Sequence, residues 1–452
     1  MDKLYSKVLR KVTPSKKELK KEEKMFLEIE KKIMKIEGKH SHVEWCGSSA
    51  RNTHLHGDRD LDLFVMFEKE LDEKELEIEG LRIGKAVFRG QKWEKAYSQH
   101  PYIRGNYKGF EVEIVPSYKV SSGGEIKSAV DRTPFHNKYL LRKLSEKQKQ
   151  EVRLLKQFMK GINCYGADLK SCALPGYGME LLILHYGNFD QTIQAIAEWT
   201  PGKILLFENA EEKDAEQFNG APLIIIDPVD NNRNVASALS LEQFERMIYA
   251  TKRFIEAPEE KFFFRQKTKP LPKKELKDEL KKRELIAVLS TFPKSILADI
   301  MWGQLRRFLK KTENRLKEKD FVVERADLWS DEKQVAFVFT LKEKELQKVK
   351  TIYGPLASDE ENAKRFLEKK RKLISGPRVE EGKLVLEVER EETMAIEVVK
   401  NLMKESAKTE KKGTNSVARK SKVLNEEGII KNYKGEFASY LTRYLKGKEI
   451  FE

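Results

Sequence analysis

Asp60 and Asp62 flank Leu61 at the head of the apolar run Asp60-Leu-Asp-Leu-Phe-Val-Met-Phe67. The run is short and rich in strand formers, and successive strand side chains alternate faces. Both carboxylates therefore share one face while Leu61 and Leu63 turn to a core. Carboxylates held side by side repel each other unless a divalent cation or a proton lies between them, and hard oxygen ligands suit Mg²⁺. An isolated Asp-x-Asp more often marks a solvated strand end, so the surroundings decide. A second alternating run, Tyr107-Lys-Gly-Phe-Glu-Val-Glu-Ile-Val-Pro116, sets Glu111 and Glu113 on one face of another strand, which Pro116 ends.

A dozen residues before the acids lies Gly47-Ser48-Ser49-Ala50-Arg51. No Gly-Lys-Ser/Thr follows, so it is not a Walker loop. It can still hold phosphate: Gly47 lets the backbone approach an anion, the serines can cap a following helix and donate hydroxyls, and Arg51 adds a forked donor. A glycine-serine turn alone is usually just a turn. Joined to Asp-x-Asp on a strand and a third acid on a neighbouring strand, it becomes a nucleotide-and-metal pattern.

The elements that must position these groups belong to a chain of 452 residues, long enough for two to four domains. A 39% hydrophobic fraction argues against wholesale disorder, and a net charge of +15 with 36% charged residues points to a polyanionic partner, nucleic acid first. No run of 18 apolar residues, secretory signal or lipidation motif is evident, so a cytoplasmic protein is expected. Cys46, Cys164 and Cys172 are too few and too irregular for a disulfide framework or zinc knuckle.

Thr13-Pro14 is expected to open a helix with Pro at its first position, carrying a stripe of Leu19, Phe26, Ile29, Ile33 and Ile36 and stopping at Gly38. Glu68–Glu79 reads only as a polar segment. Mixed strands and helices to about residue 145 make the first domain α+β or α/β. Helical patterns at 145–161, 179–186, 191–199 and 241–255, interrupted by the apolar run 223–227, make the second mainly helical, and Pro258, Pro270 and Pro272 mark a boundary near 260–272. Beyond it, the run 285–289, a long amphipathic helix around 295–319 and a strand 334–341 suggest an α/β sandwich. A charged helix at 359–372 and a strand at 383–389 follow. Residues 408–422, with six basic residues and one acidic, read as a phosphate-binding or flexible arm.

Several blocks in order resemble the archaeal, class I CCA-adding enzymes of the DNA polymerase beta superfamily. They are Gly47–Thr53, Tyr97–Tyr102 with His100-Pro-Tyr102, Val112–Tyr118, Ser128–His136, Glu151–Lys156, Tyr165-Gly-Ala167, Asp227-Pro-Val-Asp230 and Arg233–Ala236, with Gly354-Pro355 and Phe366-Leu367 further on. The resemblance implies an α+β multidomain protein with a nucleotidyltransferase catalytic head (1–145), a helical nucleotide-binding neck (146–265) and an α/β tRNA-binding body with a mixed tail (266–452). It implies template-independent addition of C, C and A to the tRNA 3′ end from CTP and ATP, with Mg²⁺, in a homodimer. Asp60, Asp62 and Glu113 would be the catalytic metal ligands, Glu113 because it precedes Ile-Val-Pro, although the family commonly has Asp there. Gly47, Ser48, Arg51, His136, Lys156 and Tyr165 would surround the triphosphate, and Arg233 would read the base.

Other readings stay beside this one. A poly(A) polymerase or oligoadenylate synthase would share the metal site, and a non-catalytic RNA-binding protein could keep the fold. His54-Leu-His56 has no further soft ligand nearby and reads as loop. Lys261-Phe-Phe-Phe-Arg265 could stack on RNA, but a Phe run is more often core, and Trp302 and Trp329 share that ambiguity.

Overall fold

The computed structural model describes residues 2–97, 100–120, 129–208, 210–294, 296–410 and 412–452. Ser98, Gln99 and Ser128 of the family-like blocks, Ser295 at the expected helix start and Lys411 of the basic tail lie outside the described residues. The chain divides into two compact units, 1–266 with 450–452, and 267–449.

The first unit opens with α1 (Asp2–Val12) and α2 (Lys16–Met34). Pro14 does not begin the second helix. Ser15 caps it, accepting from Glu18 N–H while the Glu18 carboxylate accepts from Ser15 N–H, and this reciprocal pairing satisfies two orphan donors that Pro14 could not serve. The helix also ends before Gly38, at Met34. Next come β1 (His40–Cys46), a one-turn helix α3 (Gly47–Ala50), β2 (Asp60–Phe67), α4 (Glu73–Val87), β3 (Trp93–Tyr97), β4 (Pro101–Tyr107) and β5 (Phe110–Tyr118). The segment expected to be merely polar thus starts a helix. Asp72 caps it, and Leu76, Ile83 and Val87 are buried along one side.

The strands form one sheet in the order β1-β2-β5-β4-β3. Strands β2 and β5 run parallel and the other neighbours antiparallel. Leu61, Leu63, Val112 and Ile114 pack with Ile29 and Ile33 of α2 and Ile83 of α4. Burying each of these side chains contributes about 1.5–3 kcal/mol, and the strand alternation turns Asp60, Asp62, Glu111 and Glu113 to the other face.

The unit continues with α5 (Arg132–Lys143), α6 (Glu146–Gly161), α7 (Gly176–Tyr186), α8 (Phe189–Ala197), β6 (Lys203–Leu205), α9 (Glu212–Glu216), β7 (Leu223–Asp227), β8 (Asp230–Asn234) and α10 (Leu241–Glu256). This stretch is mainly helical, with a small sheet β6-β7-β8 where the run 223–227 sits. Phe262 and Phe263 are 3% and 0% exposed and pack on Phe158 and Phe254. The Phe run is therefore core.

The second unit holds α11 (Lys273–Lys281), β9 (Glu284–Thr291), α12 (Ala298–Glu318), β10 (Val323–Ser330), β11 (Gln334–Leu341), β12 (Val349–Leu356), α13 (Glu360–Glu368), β13 (Leu373–Glu380) and β14 (Lys383–Glu389). It closes with α14 (Ala395–Thr409), α15 (Lys412–Arg419), β15 (Lys422–Leu424), α16 (Glu426–Asn432) and α17 (Gly435–Lys446). Strands β12, β14 and β13 form one small sheet, and in the other, β10-β11-β9-β15, strands β9 and β11 are apolar on both faces. Val335, Phe337 and Phe339 pack with α12, α14 and α15, whereas Ala336 and Val338 pack with α11, α16 and α17. Helices cover both sides, giving the expected sandwich. Trp302 is buried in one core, and Trp329 stacks on Tyr440 beside the other. The described residues of the basic stretch 408–422 are folded rather than an arm, with Val417 fully buried in α15. No described helix is long and apolar enough to cross a membrane.

Phe263→Ala should lower unfolding stability by about 3–5 kcal/mol in a denaturant titration, the cost of a core phenylalanine. Unchanged stability with weakened RNA binding would restore the stacking reading.

Candidate active site

The pairing of β2 with β5 places Asp60 opposite Glu111 and Asp62 opposite Glu113. The pairing of β1 with β2 places Cys46, the residue before the turn, opposite Asp62. Gly47 has φ +78, and a Cβ there would lie 1.9 Å from Asp62 Oδ2. Only glycine lets the turn lie against this carboxylate.

Burial and the neighbouring Asp60 charge raise the Asp62 carboxyl from 3.8 to about 6, and burial with Asp62 raises Glu113 from 4.5 to about 7. Burial and Asp58 push Asp60 up as well. Tyr102 donates to Glu113 Oε1 at 3.3 Å. Among the described residues, no three His, Cys, Asp or Glu side chains converge closely enough to hold one ion. The backbones are in register, yet uncompensated like charges have no reason to draw together. All-oxygen donors whose mutual repulsion opposes ionisation suit a hard divalent cation, and Asp60, Asp62 and Glu113 are the residues that could hold it.

Beside this face lies a group of buried ions. Arg51 is 5% exposed and donates to both oxygens of Glu180, Nη2 to Oε2 at 2.7 Å and Nε to Oε1 at 3.2 Å. Its Nη1 donates to Asn137 Oδ1, and Thr53 Oγ donates to Glu180 Oε1. Lys156 Nζ lies 3.6 Å from Glu180 Oε1 and donates to the Thr53 carbonyl. Burial alone would push Glu180 up, but Arg51 and Lys156 outweigh it and hold the carboxylate ionised. Burial lowers Lys156 against that same attraction. Lys156, 2% exposed, is not the solvated lysine that a helix usually carries. A Cβ on Gly176, at the start of α7, would stand 3.0 Å from Tyr165 Oη and 3.7 Å from Lys156 Nζ, so both polar tips border the start of that helix. Ser48 is half-buried, and its carbonyl accepts from Thr53 N–H.

A second buried carboxylate gathers the remaining candidates. Asp227 Oδ2 meets His136 Nε2 at 2.8 Å and accepts from Arg233 Nη1 at 2.6 Å, while Oδ1 accepts from Tyr177 Oη at 3.2 Å. The His136 ring stacks on Tyr177 at 4.1 Å. Burial opposes ionisation of Asp227, and its bonds to His136 and Arg233 overcome it, so its carboxyl lies below the usual range. Burial lowers His136.

The structure thus brings together Gly47, Asp62 and Glu113, joins Arg51 and Lys156 through Glu180 with Tyr165 at the start of α7, and joins His136 and Arg233 through Asp227. Arg51 is not the free fork that the sequence suggested, because its donors already serve Glu180 and Asn137. Sequence reasoning missed Glu180, Asn137 and Tyr177. A lone acid in the apolar stretch Met179-Glu-Leu-Leu-Ile183 was the available signal, since a carboxylate there must find a buried cation. His54 is buried within 3.2 Å of Glu22, and His56 is 2.7 Å from Glu18, so these histidines tie the connector to α2.

Three family models match in succession: nucleotidyltransferase domain over 15–136, tRNA nucleotidyltransferase second domain over 150–264, and CCA-adding enzyme C-terminal domain over 282–426. The CCA-adding enzyme of Methanocaldococcus jannaschii is 35% identical over 417 residues, 89% of this chain and 91% of that one. That of Methanosarcina mazei is 35% identical over 398 residues, 86% of each chain. The Halobacterium salinarum enzyme is 39% identical over 328 residues, 72% of this chain and 71% of its own. The paired acids, the turn packed against them and the match to these tRNA nucleotidyltransferases over most of the chain agree, and this chain belongs to the CCA-adding enzymes.

Proposed function

We propose that the chain adds C, C and A to the 3′ end of tRNA from CTP and ATP, without a template, at the carboxylate face of the first sheet. The observation that carries this reading is the pairing of Asp62 with Glu113, with Gly47 packed directly on Asp62. In this reading residues 1–145 are a catalytic head, 146–265 a nucleotide-binding neck and 266–452 a tRNA-binding body and tail. The protein works in the cytoplasm as a homodimer.

Asp60, Asp62 and Glu113 would hold Mg²⁺, which when bound supplies charge for activating the 3′-hydroxyl and steadying the leaving pyrophosphate. The turn at Gly47 and Ser48 offers backbone and hydroxyl donors to the triphosphate. Tyr165 presents a hydroxyl to it, and Lys156 and Arg51, both paired with Glu180, lend their positive charge from beneath. Such fixed donors are effective because they need no reorganisation as charge grows on the leaving group. Asp227 holds His136 and Arg233 in one place, His136 toward the phosphates and Arg233 toward the base edge.

With tRNA lacking its terminus, CTP alone should add two residues, and ATP should add one only after them. Unlimited ATP addition would favour a poly(A) polymerase. Asp62→Ala should abolish incorporation while tRNA affinity stays within about twofold, since phosphate contacts elsewhere carry that affinity; a wild-type chain that binds tRNA and incorporates nothing would favour the RNA-binding reading.

The raised carboxyls set a pH dependence. From about pH 4 to pH 7 the metal-free native state holds more protons on Asp62 and Glu113 than the unfolded chain, so its stability falls as pH rises through that window. Mg²⁺ should therefore raise Tm more at pH 8 than at pH 5, and Asp62→Asn should reduce the difference.

Glu180→Gln leaves Arg51 and Lys156 without their shared counter-charge. It should raise KM for CTP and ATP together, leave the tRNA Kd nearly unchanged, and cost about 3–5 kcal/mol of stability, as expected for breaking a buried pair. A stability loss with KM unchanged would make Glu180 purely structural.

A further inference from the structure

The sheet fixes which side of the carboxylates each substrate must occupy. The Gly47 turn belongs to the β1 side, against Asp62. In nucleotidyl transfer the attacking and leaving oxygens lie roughly in line across the phosphorus. If the triphosphate rests on the turn, the 3′ end must approach from the opposite side. In the order β1-β2-β5-β4-β3 that side is β4 and β3.

Strand register shows what stands there. Arg104 of β4 is opposite Glu113, and Glu94 of β3 is opposite Arg104. Directly paired residues share a face, so one row runs Asp62, Glu113, Arg104, Glu94. Arg104 Nε donates to Glu94 Oε1 at 2.6 Å, and the two side chains are 35% and 54% exposed. Arg104 and Glu94 border a cleft of about 370 Å³, together with Lys92, Trp93, Asn106 and Glu111. Glu111 in turn pairs with Asp60, so the cleft opens directly beside the reacting face.

We infer that this cleft receives the 3′-terminal segment of the RNA strand being extended, with Arg104 binding its last phosphodiester. A guanidinium forks onto two phosphate oxygens where an ammonium offers a point charge. Glu94 keeps Arg104 extended along the row until a phosphate replaces it. This inference rests on the proposed placement of the triphosphate and adds the path of the other substrate.

The test uses the full chain and tRNA lacking its terminus. Arg104→Ala should raise KM for the tRNA about tenfold, leave KM for CTP and ATP within about twofold, and shallow the salt dependence of tRNA binding by about one unit of slope. Arg104→Lys should fall between. Neutralising the last phosphodiester as a methylphosphonate should slow the wild type and leave Arg104→Ala no slower than before. Arg104 is partly exposed, and circular dichroism checks that the variants fold. The inference is overturned if Arg104→Ala changes nothing, if it raises KM for the nucleotides instead, or if the methylphosphonate slows both proteins equally. Failure of the wild type to incorporate any nucleotide would overturn the reaction itself.

Discussion

Asp62 Oδ2 fills the space where any residue but glycine at position 47 would carry its Cβ. That contact sets the distance between the turn after β1, proposed to hold the triphosphate, and the strand whose carboxylates are proposed to hold the metal. The turn follows β1, and β1 pairs with β2 so that Cys46 stands opposite Asp62; the spacing is therefore fixed by backbone hydrogen bonds rather than by flexible side chains. Reactions that depend on aligned groups lose rate steeply when such distances relax. The parallel pairing of β2 and β5 extends the constraint to Glu113, and the rest of the unit is built to keep these strands in place.

Two buried carboxylates do much of that work. Glu180 ties Arg51, Thr53 and Lys156 together, and Asp227 ties His136, Arg233 and Tyr177. Buried ion pairs contribute little net stability, because desolvation offsets most of the attraction. Their effect here is geometric: each makes one arrangement of cations far better than any other. Helix α6 adds a cationic face, since residues three and four apart lie on one side of a helix. Arg153 donates to the Asn52 and His54 carbonyls, Lys156 to the Thr53 carbonyl, and Lys160 pairs with Asp58 at 3.3 Å. The connector between the turn and the acids is thereby held along its length.

The second unit uses a different economy. Strands β9 and β11 are apolar on both faces and carry helices on each, so the sheet itself is a core element. Helix α15, within the basic stretch 408–422, is held by Val417 and Ala418, which are buried in that core. Charge density alone does not distinguish an arm from an amphipathic helix; two buried apolar residues do.

The sequence by itself determined the elements whose signal is local. A short apolar run marked β2, alternation marked β5 and β11, the helical pattern from Ser145 to Gly161 marked α6, and the ordered blocks marked the family. It also placed Asp60, Asp62 and Glu113 on strand faces, because a two-residue period leaves no other choice. It misread Pro14, where a capping serine one residue later was the better start, and it missed α4, whose buried stripe is diluted by glutamates and lysines. Only the tertiary structure decided which cations are free and which are taken. Glu180 is 129 residues from Arg51 and Asp227 is 91 from His136, and no local pattern records a partner brought in by packing. The order of strands across the carboxylate face was equally invisible, because it is settled by crossovers and pairing across the sheet rather than by the residues of any one strand.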